Sequence, residues 1–345
     1  MRKIILGRTG LEISKTGFGA LPVQRCTTEE AVKILRRALE GGITFFDTAR
    51  AYSDSEKKIG IALSGERKKF VLATKNHSTD PEQMKRNLEA SLRDLQTDYI
   101  DIYQFHNPPF VPKDGDPSYA LMLRWKKEGI IRHIGLTNHS AARAIEAARS
   151  GLYDTLQYPL SCLSGGVDMD VISACREENV GLIAMKGMSG GLIRRAELSF
   201  VWMEQYDHIV PIWGVQYMHE LEEFLTLSQN PPQMTQALAA EIEKEKEDLA
   251  GGFCRSCGYC MPCPAGIPIF NCARMMLLIG RSPWQQWVTP EWQANMKKIE
   301  DCLHCNTCMA RCPYHLDTPA LLAQNLREYK DFLKKMHIPS EVFDL

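Results

Sequence analysis

The chain has 345 residues, 24% of them charged, with 41 basic and 42 acidic side chains and a formal net charge of −1. That length exceeds one ordinary core and fits a large domain followed by a small one, and the even charge balance gives no reason to expect nucleic acid or an anionic membrane as a partner. The charged start, Met1-Arg-Lys-Ile-Ile-Leu-Gly-Arg8, holds an apolar run too short for a signal peptide. No stretch approaches the ~20 apolar residues of a membrane span, so a cytoplasmic address is expected.

Up to about residue 230, short apolar runs alternate with amphipathic stretches. Thr16 to Leu21 is the first candidate strand. Thr27-Thr-Glu-Glu30 is a capping box opening a helix that Gly41-Gly42 ends. Ile43 to Asp47 reads as a buried parallel strand, followed by a helix over Ser55 to Leu63. Phe70 to Lys75 is the next strand, and Asp80-Pro81 with Gln83 opens the next helix. Then come a strand over Tyr99 to His106, a helix over Tyr119 to Glu128, a strand over His133 to Thr137 and a helix over Ala141 to Arg149. The last units pair Thr155 to Tyr158 with Asp168 to Glu178, Gly181 to Met185 with Ile193 to Tyr206, and Ile209 to Ile212 with His219 to Ser228. Such short apolar strands suit a parallel sheet covered by helices.

Eight strand–helix units predict an α/β chain with a (β/α)8 TIM barrel over residues 1–232. A doubly wound open sheet is the competing fold, but no Gly-x-Gly-x-x-Gly follows the first strand. Asn230-Pro231-Pro232 closes the barrel, and residues 233–252 form a charged linker helix, Thr235 to Leu249, ending at Gly251-Gly252.

Barrel enzymes place their chemistry at the C-terminal ends of strands. There the sequence sets Asp47 with Tyr52 one short loop later, then Lys75, then His106. Each of the three ionisable residues closes an otherwise apolar run, so mutual pairing is expected to offset their burial. Such a group suits reduction of a carbonyl. A phenol with a pKa of about 10 is a poor acid at neutral pH, and a nearby ammonium is expected to lower it, with a carboxylate fixing the lysine. A histidine beside the oxygen adds a hydrogen bond to the developing charge.

These residues lie in Gly42-Ile-Thr-Phe-Phe-Asp-Thr-Ala-Arg-Ala-Tyr52, Ala73-Thr-Lys75 and Asp101-Ile-Tyr-Gln-Phe-His106, accompanied by Ile134-Gly-Leu-Thr-Asn138 and Gln157. In these motifs residues 1 to about 230 resemble the aldo-keto reductase superfamily. The resemblance implies a catalytic tetrad of Asp47, Tyr52, Lys75 and His106. It implies nicotinamide contacts from Thr137, Asn138 and Gln157, and a pyrophosphate loop at Lys186-Gly-Met-Ser-Gly-Gly-Leu192, with Gly190 and Gly191 allowing close approach. The family's basic residue for the NADP 2′-phosphate has no counterpart in Pro211-Ile-Trp-Gly-Val-Gln-Tyr-Met-His-Glu-Leu221, so either NADP or NAD is expected. His77 and His139 are expected on surface loops near the site.

Of the twelve cysteines, nine fall between Cys254 and Cys312. In a reducing compartment such clustering points to metal rather than disulfides. Cys254-x2-Cys257-x2-Cys260-x2-Cys263-Pro and Cys302-x2-Cys305-x2-Cys308-x3-Cys312-Pro have the bacterial ferredoxin pattern, the first run one residue short before its last cysteine. The pattern assigns Cys254, Cys257, Cys260 and Cys312 to one [4Fe–4S] cluster and Cys302, Cys305, Cys308 and Cys263 to another. Zinc is the alternative, but zinc ribbons use separated Cys-x2-Cys pairs without a third cysteine in register. The 38 residues from Pro264 to Asp301 suit a mainly helical ferredoxin-like domain over 253–345, with Cys272 as a buried thiol.

The combination resembles aldo-keto reductase homologues of anaerobic microbes that carry a C-terminal 4Fe–4S domain. It implies a nicotinamide-dependent oxidoreductase interconverting a small carbonyl or alcohol substrate, with two clusters for electron transfer and a ferredoxin-like or flavin redox partner. The alternatives are structural or redox-sensing clusters, or a nicotinamide-binding carrier without turnover.

Overall fold

The structure, a computed structural model, describes residues 1–249, 252–281 and 284–343, so Gly251 at the expected end of the linker helix lies outside the described residues. The chain divides into two compact units, Met1–Gly187 with Ala196–Ala239, and Met188–Arg195 with Ala240–Leu345.

The first unit is a closed parallel barrel of eight strands. A short hairpin, β1 (Lys3–Ile5) and β2 (Glu12–Ser14), pairs antiparallel ahead of it, with Ile4 opposite Ile13. The barrel strands are β3 (Gly17–Gly19), β4 (Phe45–Asp47), β5 (Val71–Asn76), β6 (Ile100–His106), β7 (Ile131–Thr137), β8 (Thr155–Pro159), β9 (Gly181–Met185) and β10 (Ile209–Gly214), with β10 pairing β3 to close the ring. Seven helices follow β3 to β9 in turn: α1 (Thr28–Glu40), α2 (Ser55–Leu63), α3 (Pro81–Leu95), α4 (Pro117–Glu128), α5 (Ala141–Arg149), α6 (Val167–Glu177) and α7 (Ala196–Glu204). The eighth, α8 (Met218–Gln229), follows β10. The expected barrel is thus present, with strand ends displaced by up to two residues.

Local chemistry accounts for the helix starts. Thr27 accepts from the Glu30 amide at 3.3 Å, and Glu30 returns a bond from the Thr27 amide at 2.9 Å. Asp80 accepts from the Gln83 amide at 2.7 Å, with Pro81 at the first helical position. The hairpin gives the barrel its floor. Leu6 and Ile13, both fully buried, join Phe45, Ala73, Ile102 and Val210 in one apolar cluster. A Cβ on Gly181, the first residue of β9, would stand 2.7 Å from Leu6 Cγ, which places that plug at the N-terminal ends of the strands. The opposite end carries the polar side chains.

Helix α9 (Gln236–Asp248) covers most of the expected linker. Every regular element described beyond it is helical: α10 (Ile269–Cys272), α11 (Met275–Arg281), α12 (Pro290–Lys297), α13 (Thr307–Ala310) and α14 (Thr318–Lys335), with short 3-10 turns between. Their core gathers Ile267, Cys272, Met275, Met296, Leu322 and Tyr329, and Tyr329 donates to the Trp287 carbonyl at 2.9 Å. In the second unit α14 anchors this core, its N-terminus capped by Asp317 accepting from the Ala320 amide.

Candidate active site and candidate cluster site

Asp47 ends β4 and Lys75 lies one residue before the end of β5, each delivered by a buried apolar run. Lys75 Nζ lies 2.6 Å from Asp47 Oδ2 and 2.7 Å from the Thr48 carbonyl oxygen. Lys75 is 0% exposed and Asp47 2%. Burial pushes the carboxyl up and the ammonium down, and their mutual contact opposes both shifts. The mutual contact, together with further donors to the carboxylate, favours the charged forms against that burial. Gln104 Nε2 reaches Asp47 Oδ1 at 3.2 Å and Gln157 Nε2 reaches Oδ2 at 3.4 Å. Gln104 also donates to Gln157 Oε1 at 3.0 Å and accepts from Thr137 Oγ1 at 3.1 Å.

Gln104 has no place in the sequence-based site, yet it is fully buried and joins Asp47, Thr137 and Gln157. Its one legible signal is an uncharged polar residue inside the apolar strand β6. Asn138 is occupied differently: it donates to the Pro108 carbonyl at 3.1 Å and accepts from the Ser140 amide at 2.9 Å, tying two loops together.

Tyr52 stands in the loop after β4, its amide bonded to the Ala49 carbonyl at 3.0 Å. Its ring meets His106 edge-on, with centroids 5.7 Å apart at 83°. Lys75 Nζ lies 5.4 Å from the centroid of the Tyr52 ring. All four expected side chains thus come together at the C-terminal ends of β4, β5 and β6. The electrostatics correct two expectations. Burial and the Asp47 carboxylate push the Tyr52 phenol up rather than down, because the lysine's charge is matched by Asp47. His106 takes no part in the pairing: its Nδ1 is buried with no hydrogen-bond partner among the described residues. Burial, then Lys75 and His77, pull its pKa down to about 3, so the imidazole is neutral. His77 is exposed as expected, whereas His139 is only 4% exposed and corrects the surface assignment.

Beyond β9, Lys186 adopts φ +62°, and Gly190 and Gly191 adopt +68° and +88°. Nothing lies within 4 Å of where a Cβ of Gly191 would stand, so backbone there is open to close approach by an anion. In the segment lacking Arg and Lys, Trp213 is stacked between Phe200 and Phe224, at 5.9 and 4.6 Å.

Among the cysteines, Cys263, Cys302, Cys305 and Cys308 line one cavity, together with Cys260. Cys254 and Cys257 are near enough to Cys260 to raise its pKa, after burial, to about 12. The start of the first run also meets the end of the second: the Arg255 guanidinium lies 4.7 Å from the Tyr314 ring, and a Cβ on Gly252 would stand 3.1 Å from Leu316 Cδ2. Cys312 is therefore brought toward the Cys254 run. Among the described residues no three His, Cys, Asp or Glu side chains converge as ligands of a single ion would, whereas a cubane asks for thiolates at its separate corners. Cys272 is fully buried, its Sγ 3.7 Å from the Asn295 carbonyl oxygen, and burial pushes it up to about 12.

Replacing Asp47 by Asn leaves the Lys75 ammonium buried without its counter-charge. The expected loss is roughly 3–5 kcal/mol of stability, read as a lower urea midpoint for barrel unfolding; an unchanged midpoint would contradict the pairing. For His106 the folded pKa of about 3 lies below its ordinary value of 6.5. Between those values the unfolded chain binds more protons, so this group favours folding above pH 6.5 and loses that contribution as the pH falls towards 3. His106→Gln is expected to flatten the acid limb of stability against pH, measured by urea unfolding of both proteins.

The Aldo/keto reductase family model matches residues 3–199, and a 4Fe-4S dicluster domain model matches residues 253–317. Uncharacterized oxidoreductase YrpG of Bacillus subtilis is 32% identical over 228 residues, 56% of this chain and 68% of that protein. L-galactose dehydrogenase of Arabidopsis thaliana is 30% identical over 212 residues, 54% of this chain and 66% of that protein. Aldo-keto reductase AKR11C1 of Bacillus halodurans superposes with a TM-score of 0.63 at 22% identity, covering 71% of this chain and 96% of that one. An aldo-keto reductase of Klebsiella pneumoniae in complex with NADPH gives 0.62 at 21% identity, covering 71% and 95%. These two likenesses concern the barrel fold. The chain belongs to the aldo/keto reductase family of oxidoreductases and carries a 4Fe-4S dicluster domain in its C-terminal part.

Proposed function

We propose that this protein interconverts a carbonyl and an alcohol in its barrel, using NADP or NAD, and that two [4Fe–4S] clusters in its C-terminal domain exchange single electrons with a partner. The observation that carries the reading is the convergence of Tyr52, His106 and the buried Lys75–Asp47 pair at one mouth of the barrel.

A nicotinamide held by these residues would supply the hydride to the carbonyl carbon. Charge then develops on the carbonyl oxygen, and this chain's residues meet it. A phenol keeps its proton at neutral pH even at its ordinary value of about 10, and burial pushes Tyr52 further up, so it is present as the acid. An alkoxide is a stronger base than a phenolate, which makes the proton transfer favourable as the charge appears. Neutral His106 offers a hydrogen bond to the same oxygen, and Lys75 supplies a fixed positive charge beside the Tyr52 ring. Asp47 and the Thr48 carbonyl hold Lys75 in place, and Gln104 steadies Asp47. Alcohol oxidation runs the same steps in reverse.

Thr137, Asn138 and Gln157 are the residues that would orient the nicotinamide, and Lys186, Gly190 and Gly191 those that would receive phosphate. The bonds Asn138 already makes would orient its amide. NADP stands first because the Klebsiella pneumoniae relative is in complex with NADPH; NAD stands second because residues 211–221 hold no Arg or Lys.

For the clusters, the shared cavity supports Cys302, Cys305, Cys308 and Cys263 as one set. The Arg255–Tyr314 contact supports Cys254, Cys257, Cys260 and Cys312 as the other. A ferredoxin-like or flavin partner fits the electron count, since a hydride carries two electrons and each cluster one. The same mismatch favours a second reading, in which the clusters are structural or redox-sensing. No described helix is long and apolar enough to cross a membrane, and a cytoplasmic setting is part of the proposal.

Tyr52→Phe tests the barrel chemistry. Its kcat/KM for aldehyde reduction is expected to fall by about 10²–10⁴, with about eight irons per chain retained. Turnover unaffected by the substitution would overturn the mechanism, and zinc in place of iron would overturn the cluster assignment.

A further inference from the structure

Arg274 is a large cation in an unusual place. It follows α10, is 5% exposed, and makes no ion pair with a carboxylate among the described residues. Its hydrogen bonds go to backbone carbonyls: Nε donates to Phe270 O at 3.1 Å and Nη1 to Gly190 O at 3.1 Å. A buried guanidinium needs a compensating negative charge as well as acceptors. Cys254 stands beside the guanidinium. Its Sγ sits 3.8 Å from the same Phe270 carbonyl oxygen that Arg274 Nε bonds, so thiol and guanidinium converge on one acceptor.

The other end of the guanidinium is equally tightly fitted. A Cβ on Gly190 would stand 3.0 Å from Arg274 Nη1 and 3.6 Å from Ser256 Cβ, between Cys254 and Cys257. Gly190 thus lacks a side chain where the arginine and the cysteine run both approach, and its φ of +68° suits glycine for a second reason. Arg281 adds a parallel tie, donating to the Leu192 carbonyl at 2.9 Å and pairing with Glu245. Residues 188–195, Gly190, Arg274 and Cys254 all belong to the second unit.

We propose that Arg274 is the counter-ion of the cluster bound by the Cys254 run and, through the Gly190 carbonyl, the positioning residue that holds the glycine loop Met188–Arg195 against that cluster. The proposal rests on the reading that Cys254, Cys257 and Cys260 bind iron and sulfide. When Cys254 becomes a thiolate ligand it no longer donates to Phe270 O, and the guanidinium is the donor left between two electron-rich acceptors. Four thiolates make the cluster anionic, and one-electron reduction adds a further negative charge. A fixed cation beside it stabilises the reduced form more than the oxidised one, so it raises the reduction potential.

The test uses full-length protein, anaerobically reconstituted, with iron and sulfide quantified before each measurement. Dithionite titration followed by electron paramagnetic resonance gives the two midpoint potentials, and amide hydrogen exchange reports on residues 188–192. In Arg274→Gln with full iron, one cluster's reduced-to-oxidised ratio at fixed potential is expected to fall about tenfold, a downward shift of ~59 mV for one electron. The other cluster should stay as in wild type, while exchange in the loop accelerates. Both potentials unchanged at full iron would overturn the proposal. Arg274→Lys keeps the charge without the fork, so it should retain iron, shift the potential less, and still loosen the loop. Loss of iron from the lysine variant would also overturn the proposal, since the charge is present. Wild-type protein lacking iron and sulfide would instead overturn the cluster reading beneath it.

Discussion

The ion pair of Lys75 and Asp47 is the constraint around which the barrel's polar end is arranged. Two charges removed from water are tolerable only when the geometry between them is good and their remaining valences are filled. Here the contact is 2.6 Å, and the Thr48 carbonyl, Gln104 and Gln157 fill the remainder. Because Gln104 and Gln157 are bonded to each other and to Thr137, the pair is embedded in a polar layer running from β4 to β8. The layer explains why five consecutive strands present polar side chains at one level of an otherwise apolar barrel. It also fixes the lysine's position relative to Tyr52, and hence the field in which that phenol works.

That field differs from simple acidification of the tyrosine. With its charge matched by Asp47, Lys75 leaves the phenol protonated until negative charge arises on substrate oxygen. His106 is held neutral by burial and by Lys75, so the site presents neutral hydrogen-bonding groups over a balanced pair. Such a site has little net charge of its own, and it favours a reaction in which charge is created locally. The second unit works the opposite way. Its cysteines gather negative charge when they bind iron, and a buried arginine with carbonyl partners alone is the complementary feature.

Much of this was legible in the sequence because the relevant signals are local. The eight apolar runs, the Thr27–Glu30 capping box and the Asp80 cap depend on neighbours within a few residues, and each has its structural counterpart. Asp47, Lys75 and His106 were visible as ionisable residues closing apolar strands, a contrast that needs no tertiary information. The hairpin of β1 and β2 was not legible, since two three-residue strands carry too short an alternation to register. Gln104 was overlooked because one glutamine in a strand looks like any solvated position until its neighbours across the barrel are known. The direction of the Tyr52 shift and the burial of His139 likewise depend on what packs from other strands. The grouping of Met188–Arg195 with the C-terminal unit depends on Arg274 and Arg281, more than 80 residues away in sequence.

Direct hydride transfer to a carbonyl carbon in the barrel, with Tyr52 providing the proton, is the central step of the proposed chemistry. The most direct measurement is a single anaerobic turnover with NADPH carrying deuterium at both C4 positions and a simple aldehyde. Mass spectrometry of the alcohol then locates the label. One deuterium is expected on the carbinol carbon of essentially every alcohol molecule formed. Alcohol formed without that deuterium, its hydrogen drawn from solvent, would contradict direct transfer.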